Sequence, residues 1–346
     1  MHMKTKFRTC SVILAICIIA TCFMACGVKP FERHTELQLA LIAKPYMFAD
    51  ARMDAKTENG LPLPIELDVS SQKSGYSIVI EIKGEKKLVE PLTGQKKFSY
   101  YNYELGREYK WYLIDGDGEK IGSEKRFLTS DVAPRNLYVD GVTNCRDLGG
   151  WKTTDGKHVR QGMIYRTSKF SDNDTGSPLV TEAGIRTLTR ELGIKTELDI
   201  RKEGENAGIT ESVLGSDVQY IFKPMQSGGN YLILNKRVLA DVFSVFADEA
   251  NYPVAFHCSI GTDRTGCIAF LINAMLGVDK DSLYCDYMFS MLGTVGVKRS
   301  STTIDKYLKE IATAGGETIA ENAYNYLVKQ GVPAETLDLM KRIMIE

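Results

Sequence analysis

Ten consecutive residues of this 346-residue chain concentrate its reactive chemistry: His257-Cys258-Ser259-Ile260-Gly261-Thr262-Asp263-Arg264-Thr265-Gly266. A cysteine and an arginine at this spacing arise often by chance. Here a glycine stands between them, Thr265-Gly266 follows the arginine, and the hydrophobic pattern puts a short strand before the loop and a helix after it. A loop from strand to helix turns backbone N–H groups inward and aims the positive end of the helix at them, which makes a cradle for a tetrahedral anion. Gly261 permits backbone geometry closed to other residues, and Gly266 lets the helix start pack closely. Arg264 offers a two-pronged fork to two oxygens of such an anion. The same field favours the thiolate of Cys258, the form that attacks. The loop therefore suits in-line attack on phosphorus, a cysteinyl-phosphate intermediate, and water to complete the hydrolysis. Loop amides and Arg264 supply the charge stabilisation, so the chemistry requires no metal and no other cofactor.

Around this loop other residues take expected roles. Ser259, Ile260, Gly261, Thr262, Thr265 and Gly266 line the bound anion. Asp263 is the leading candidate for the general acid and Asp199 the second. Their bland readings are an acceptor for loop N–H groups or Arg264, and a strand-end carboxylate paired with Arg201 or Arg146. Arg146 and Arg166 are read as buttresses of the loop. His257 is expected to hydrogen-bond near the sulfur or the loop backbone, and Thr265 to donate to the thiolate or cap the helix. Cys145, Cys267 and Cys285 read as packed thiols, with reversible pairing of Cys267 and Cys258 as the alternative.

The elements that must position these residues form an α/β pattern. Thr181 can cap a helix carrying Ile185, Leu188 and Leu192 on one face, closed by Gly193. Ile194, Thr196, Leu198 and Ile200 alternate as a strand; Leu239, Val242, Phe243 and Phe246 recur at helical spacing. Val254-Ala255-Phe256 is a short buried strand, and Thr265–Leu276 an apolar helix ended by Gly277. Strands alternating with helices predict a mostly parallel sheet flanked by helices over residues 136–346. Upstream the period changes. Ile65, Leu67 and Val69 alternate with polar residues, as do Tyr76 to Ile82 and Tyr109 to Leu113, with a turn at Asp115-Gly116-Asp117-Gly118. This predicts a small all-β sandwich over 27–130, loosely similar to a fibronectin type III module, read as a spacer rather than a binding module. Asp131 to Pro134 reads as the linker.

Residues 1–26 carry Lys4, Lys6 and Arg8, then an apolar stretch from Ser11 to Ala25, then Cys26, the pattern of a bacterial export signal. Cys26 is the expected lipidated residue, which predicts an exported protein held to a membrane of the cell envelope; plain secretion and an uncleaved anchor are the alternatives. Without those three basic residues the net charge of −1 becomes −4, so the chain has no footprint for nucleic acid. Four cysteines beyond the signal, without paired spacing, and four histidines in all give neither a zinc site nor a disulfide scaffold.

Several segments in consistent order carry a resemblance. His257 to Gly266 resembles the HCxxGxDRTG loop, with its CX5R signature, of a bacterial and fungal family of cysteine-dependent tyrosine phosphatases that includes a secreted mycobacterial member. Asn144 to Gly150, Asp155-Gly156, Ile164 to Ser168, Leu198 to Arg201 with Glu205, and Asp286-Tyr287 resemble that family's other motifs. The resemblance implies an α/β phosphatase acting on phosphotyrosine, in some members also on phosphoserine, phosphothreonine or phosphoinositides. The implied partners are a phosphorylated protein, or a phosphorylated small molecule or lipid. Thr262 stands where many members have lysine, which tilts the expectation toward phosphotyrosine over polyphosphorylated inositols. Trp111 and Trp151 are the only tryptophans, so no W-P-D loop marks the acid. The rival readings are an inositol-phosphate or phosphoinositide phosphatase, a silent phosphate-binding module with an adhesive β-domain, and a rhodanese-type sulfur transferase.

Overall fold

The computed structural model describes residues 29–48, 59–292 and 299–346. The expected export signal and Cys26 lie outside them.

In chain order the strands are β1 (Ile65–Asp68), β2 (Ser77–Ile82), β3 (Glu85–Pro91), β4 (Lys97–Tyr100), β5 (Glu108–Ile114), β6 (Lys120–Leu128), β7 (Arg146–Asp147), β8 (Ile164–Thr167), β9 (Thr196–Asp199), β10 (Gln219–Phe222) and β11 (Val254–His257). Two compact units result. The smaller holds an antiparallel sheet in the order β3-β2-β5-β6. Alternating Ile78, Ile80 and Ile82 pair with Leu113, Trp111 and Tyr109, as the period-two pattern requires. The β5–β6 turn is set by Asp115, whose Oδ1 accepts from the N–H groups of Asp117 and Glu119 at 3.0 and 2.9 Å.

The division between units does not fall at residue 130. Residues 33–67 and 98–105, which the sequence pattern assigns to the β-domain, cluster with 131–346. Buried polar groups are the reason. Arg33 donates to the carbonyl of Tyr103 at 2.8 Å and to Asn136 Oδ1 at 3.2 Å. Arg135 donates to Asp147 at 2.7 Å and to the carbonyl of Asn102 at 2.7 Å. Such groups cannot be buried without partners, so they tie the intervening chain to the larger unit.

That unit is built on a five-stranded sheet in the order β10-β9-β11-β8-β7, parallel except for β7. Along β11, Val254 and Phe256 enter one apolar cluster and Ala255 the other. Ile164 and Tyr165 on β8 divide in the same way, so both faces are covered, as a parallel sheet demands. One helix caps as expected: Thr181 accepts from the Gly184 N–H at the start of Glu182–Arg186, which runs on as a π-helical turn to Glu191. The helix after β11 is Asp263–Met275, buried from Arg264 onward. Gly277, with φ +88°, ends it. Helices at Lys280–Phe289, Thr302–Ala312, Ile319–Lys329 and Ala334–Met344 complete the unit.

Candidate active site

The loop from Cys258 to Thr262 leaves β11 at the centre of the sheet and enters the helix Asp263–Met275. Its backbone is held at every turn. The Cys258 N–H donates to Thr265 Oγ1 at 2.9 Å, which fixes the start of the loop to the first turn of the helix. That bond uses the hydroxyl as acceptor and leaves its hydrogen for the sulfur. Gly261 has φ +69°, and a side chain there would strike the backbone of Thr167 and Ser168. The loop therefore lies flush on the end of β8, which only glycine allows. A Cβ on Gly266 would meet the Tyr287 ring at 3.1 Å, so the helix also packs closely here.

Two residues hold the loop carbonyls from outside. Asn144, itself at φ +56°, donates to the carbonyls of Ile260 and Gly261 at 3.1 and 3.0 Å and to Thr262 Oγ1 at 3.3 Å. Arg166 Nη2 donates to the Gly261 carbonyl at 2.8 Å. With those carbonyls turned outward, the loop N–H groups are free to face an anion. Ile260 is the exposed residue of the loop, at 43%.

Arg166 also pairs with Asp286 through Nη1, and Arg146 reaches the same carboxylate through Nε at 3.1 Å. Burial alone would push the Asp286 carboxyl up, but the two guanidinium groups outweigh it and hold it below the usual range. Burial and the neighbouring Arg166 push Arg146 down to about 10. Arg146 and Arg166 are buttresses, and Asp286 is the anion that lets two buried cations sit side by side.

Arg264 is positioned by Glu205. Its Nη1 donates to Glu205 Oε2 at 2.8 Å and its Nη2 to Ser259 Oγ at 3.3 Å. Ser259 Oγ in turn donates to Glu205 at 3.1 Å and accepts from Asn173 at 3.3 Å. Partial burial would raise the Glu205 carboxyl, but Arg264 brings it below its ordinary value. The guanidinium is thus oriented before any ligand arrives.

His257 reaches the loop backbone as expected and finds a second, unexpected partner in Glu197. Its Nε2 meets Glu197 Oε1 at 2.9 Å, with Nδ1 3.3 Å from the Cys258 carbonyl and 3.8 Å from Asp199. The ring packs 5.0 Å from that of Phe170, so it braces the loop from below. Asp199 is fully buried, grips Arg201 Nε and Nη2, and accepts from the Tyr220 hydroxyl at 2.8 Å. Burial would raise it; His257 and Arg201 prevail and hold it below the usual carboxylate range, which keeps it ionised rather than a proton donor.

Asp263, the first residue of the helix, is a quarter exposed. Its Oδ1 accepts from the Tyr287 hydroxyl at 3.2 Å and lies 3.9 Å from Arg299 Nη1. Among the described residues, Cys145, Cys267 and Cys285 are buried thiols. Desolvation pushes Cys145 and Cys267 up to about 12.

Sequence reasoning did not single out Glu197 or Arg299 as parts of the site, and took Asn144, Glu205, Asp286 and Tyr287 only from the resemblance. Their partners are remote in the chain, Asp286 lying 140 residues from Arg146. For Glu197 the available signal was the presence of charged residues on buried strands, which must find counter-charges once buried.

A family model described as the tyrosine phosphatase family matches residues 137–344, more than half of the chain. Over 180 residues the chain is 29% identical to a protein of Cupriavidus necator provisionally named a tyrosine-protein phosphatase, covering 45% of this chain and 63% of that one. Over 182 residues it is 24% identical to the triple specificity protein phosphatase PtpB of Mycobacterium tuberculosis, covering 50% of this chain and 61% of that one. The chain therefore spans less than two thirds of the length of each of these relatives. Among solved structures, the core catalytic domain of the PP-IP phosphatase Siw14 from S. cerevisiae, in complex with citrate, aligns at 18% identity and a TM-score of 0.30, over 43% of this chain and 86% of that one. Since the matched residues take in β7 to β11 and the whole loop from Cys258 to Gly266, the chain belongs to the tyrosine phosphatase family.

Proposed function

We propose that the chain is a metal-independent phosphomonoesterase acting on phosphotyrosine. The observation that carries this reading is the preset guanidinium of Arg264, held by Glu205 at 2.8 Å beside a loop whose carbonyls are tied outward. In the proposed reaction the loop amides and Arg264 grip three phosphate oxygens. The Cys258 thiolate attacks phosphorus in line, the phosphorus–oxygen ester bond breaks, and Asp263 gives its proton to the departing oxygen. Water then attacks the cysteinyl-phosphate, passing a proton back to Asp263, and inorganic phosphate leaves. Asp263 is favoured over Asp199 because it is partly exposed beside Arg264, whereas Asp199 is sealed against Arg201. Phosphoserine and phosphothreonine are secondary substrates in this reading.

The test is hydrolysis of p-nitrophenyl phosphate and a phosphotyrosine peptide in the presence of chelator, comparing the reduced wild type with Cys258→Ser. Activity lost on substitution supports the mechanism. A folded, reduced wild type inert on both substrates would remove the phosphotyrosine reading.

The first 26 residues are proposed as an export signal with Cys26 lipidated, supported by Lys4, Lys6 and Arg8 before the apolar stretch. Lipid labelling of the wild type and its loss in Cys26→Ser would test this. The antiparallel strands β2, β3, β5 and β6 support the fibronectin III-like reading of the smaller unit, with a spacer's role.

A further inference from the structure

The carboxyl group of Asp263 is held on one side only. Its Oδ1 accepts from the Tyr287 hydroxyl at 3.2 Å, and the Arg299 guanidinium stands off the same oxygen at 3.9 Å. No group among the described residues bonds to Oδ2. Two close fits bring Tyr287 to this position. It lies on the helix Lys280–Phe289 directly after Asp286, whose carboxylate and carbonyl oxygens both accept from Arg146, at 3.1 and 2.9 Å. Its ring crosses the start of the helix Asp263–Met275 at Gly266, where a Cβ would come within 3.1 Å of the ring. Tyr287 is buried, and burial together with the Asp263 carboxylate pushes its hydroxyl up to about 12. The hydroxyl therefore keeps its hydrogen near neutral pH and remains a donor to Asp263.

We propose that Tyr287 is a positioning residue for the general acid: its hydroxyl fixes Asp263 through Oδ1, so that Oδ2 carries the proton delivered to the departing oxygen. The inference rests on the phosphomonoesterase reading, with Asp263 as its acid. A hydroxyl donor facing Oδ1 suits the ionised carboxylate and the acid protonated on Oδ2, and opposes the acid protonated on Oδ1. As the phosphorus–oxygen bond breaks and the Cys258 sulfur takes the phosphoryl group, the Oδ2 proton passes to the ester oxygen. In the second step the attacking water returns a proton to Oδ2. Tyr287 keeps its own hydrogen throughout and touches neither substrate nor sulfur; it sets the direction of the acid.

The test is Tyr287→Phe in the full chain, which keeps the ring over Gly266 and removes only the hydroxyl. On phenyl phosphate, whose leaving group needs a proton, kcat should fall about ten-fold with KM little changed. On p-nitrophenyl phosphate, whose leaving group does not, the fall should stay within about two-fold. In an Asp263→Asn background the same substitution should cost less than about two-fold on either substrate, because two residues acting as one unit are not additive. Equal losses on the two substrates would mean that the hydroxyl serves only packing and would overturn the inference. So would no loss on either, or a full ten-fold further loss in the Asp263→Asn background. If Asp263→Asn alone lowers both substrates equally, Asp263 is not the acid; the inference then falls while the phosphatase reading stands. A folded, reduced wild type inert on both compounds would instead sink the phosphomonoesterase reading, and this inference with it.

Discussion

The two ends of the loop are built to different standards. At the nucleophile end, Cys258, Ser259, Gly261 and Thr262 are tied by Thr265, Glu205, Arg166 and Asn144, and Arg166 is itself ion-paired with the buried Asp286. At the acid end, Asp263 has one hydroxyl at 3.2 Å and one guanidinium at 3.9 Å. The difference follows from the chemistry each end would perform. A phosphate must be met by donors already in place, because reorganisation during the reaction costs barrier height. A carboxyl that alternately gives and takes a proton cannot be locked in its ionised form, as Asp199 is by Arg201.

The comparison can be broken at several points. The largest effect is expected at the nucleophile: Cys258→Ser should lower kcat by about 10^4-fold or more while circular dichroism stays unchanged. An active serine variant would place the chemistry elsewhere. Next comes the buttress. Arg166→Met leaves the Asp286 carboxylate half-paired in the interior and should cost about 3–5 kcal/mol of stability, read by denaturant unfolding. A neutral result would mean that the loop does not depend on that pair.

Asp263→Asn should lower kcat about 10^2-fold on phenyl phosphate and much less on p-nitrophenyl phosphate, whose leaving group departs without a proton. Equal losses on the two would point to an acid other than Asp263. Glu205→Gln should raise KM about ten-fold by releasing Arg264, with kcat less affected; an unchanged KM would show that Arg264 orients itself.

The smallest effect concerns pH. Asp286, Asp199 and Glu205 all have folded-state values held below their ordinary ones. Their contribution to stability is present above the unfolded carboxylate range near 4, and is lost as pH falls through the lower folded values. The melting temperature should therefore be level from neutral pH to about 5 and decline below it. A decline already beginning near pH 6 would implicate other groups, such as a histidine.

Much of the larger unit could be read from residue types alone. The strand at Val254–His257, the helix after it and the glycine that ends it all follow from local rules: an apolar run, helical spacing, and a residue tolerant of positive φ. Cys258, Gly261 and Arg264 were legible for the same reason, since their spacing and the chemistry of each type are properties of ten adjacent residues. The π-helical turn at Thr187–Glu191 and the short strand β10 were not, being set by packing rather than by pattern.

What the chain by itself determined, then, is the reactive loop and the alternation of strand and helix that supports it. The tertiary structure decided which charges answer one another: Asp286 between Arg146 and Arg166, Glu205 on Arg264, Glu197 on His257, and Arg299 beside Asp263. It also decided that residues 33–67 and 98–105 join the larger unit. Local pattern is blind to these pairings, because a buried charge is satisfied by whatever the fold brings within about 3 Å and not by its neighbours in sequence.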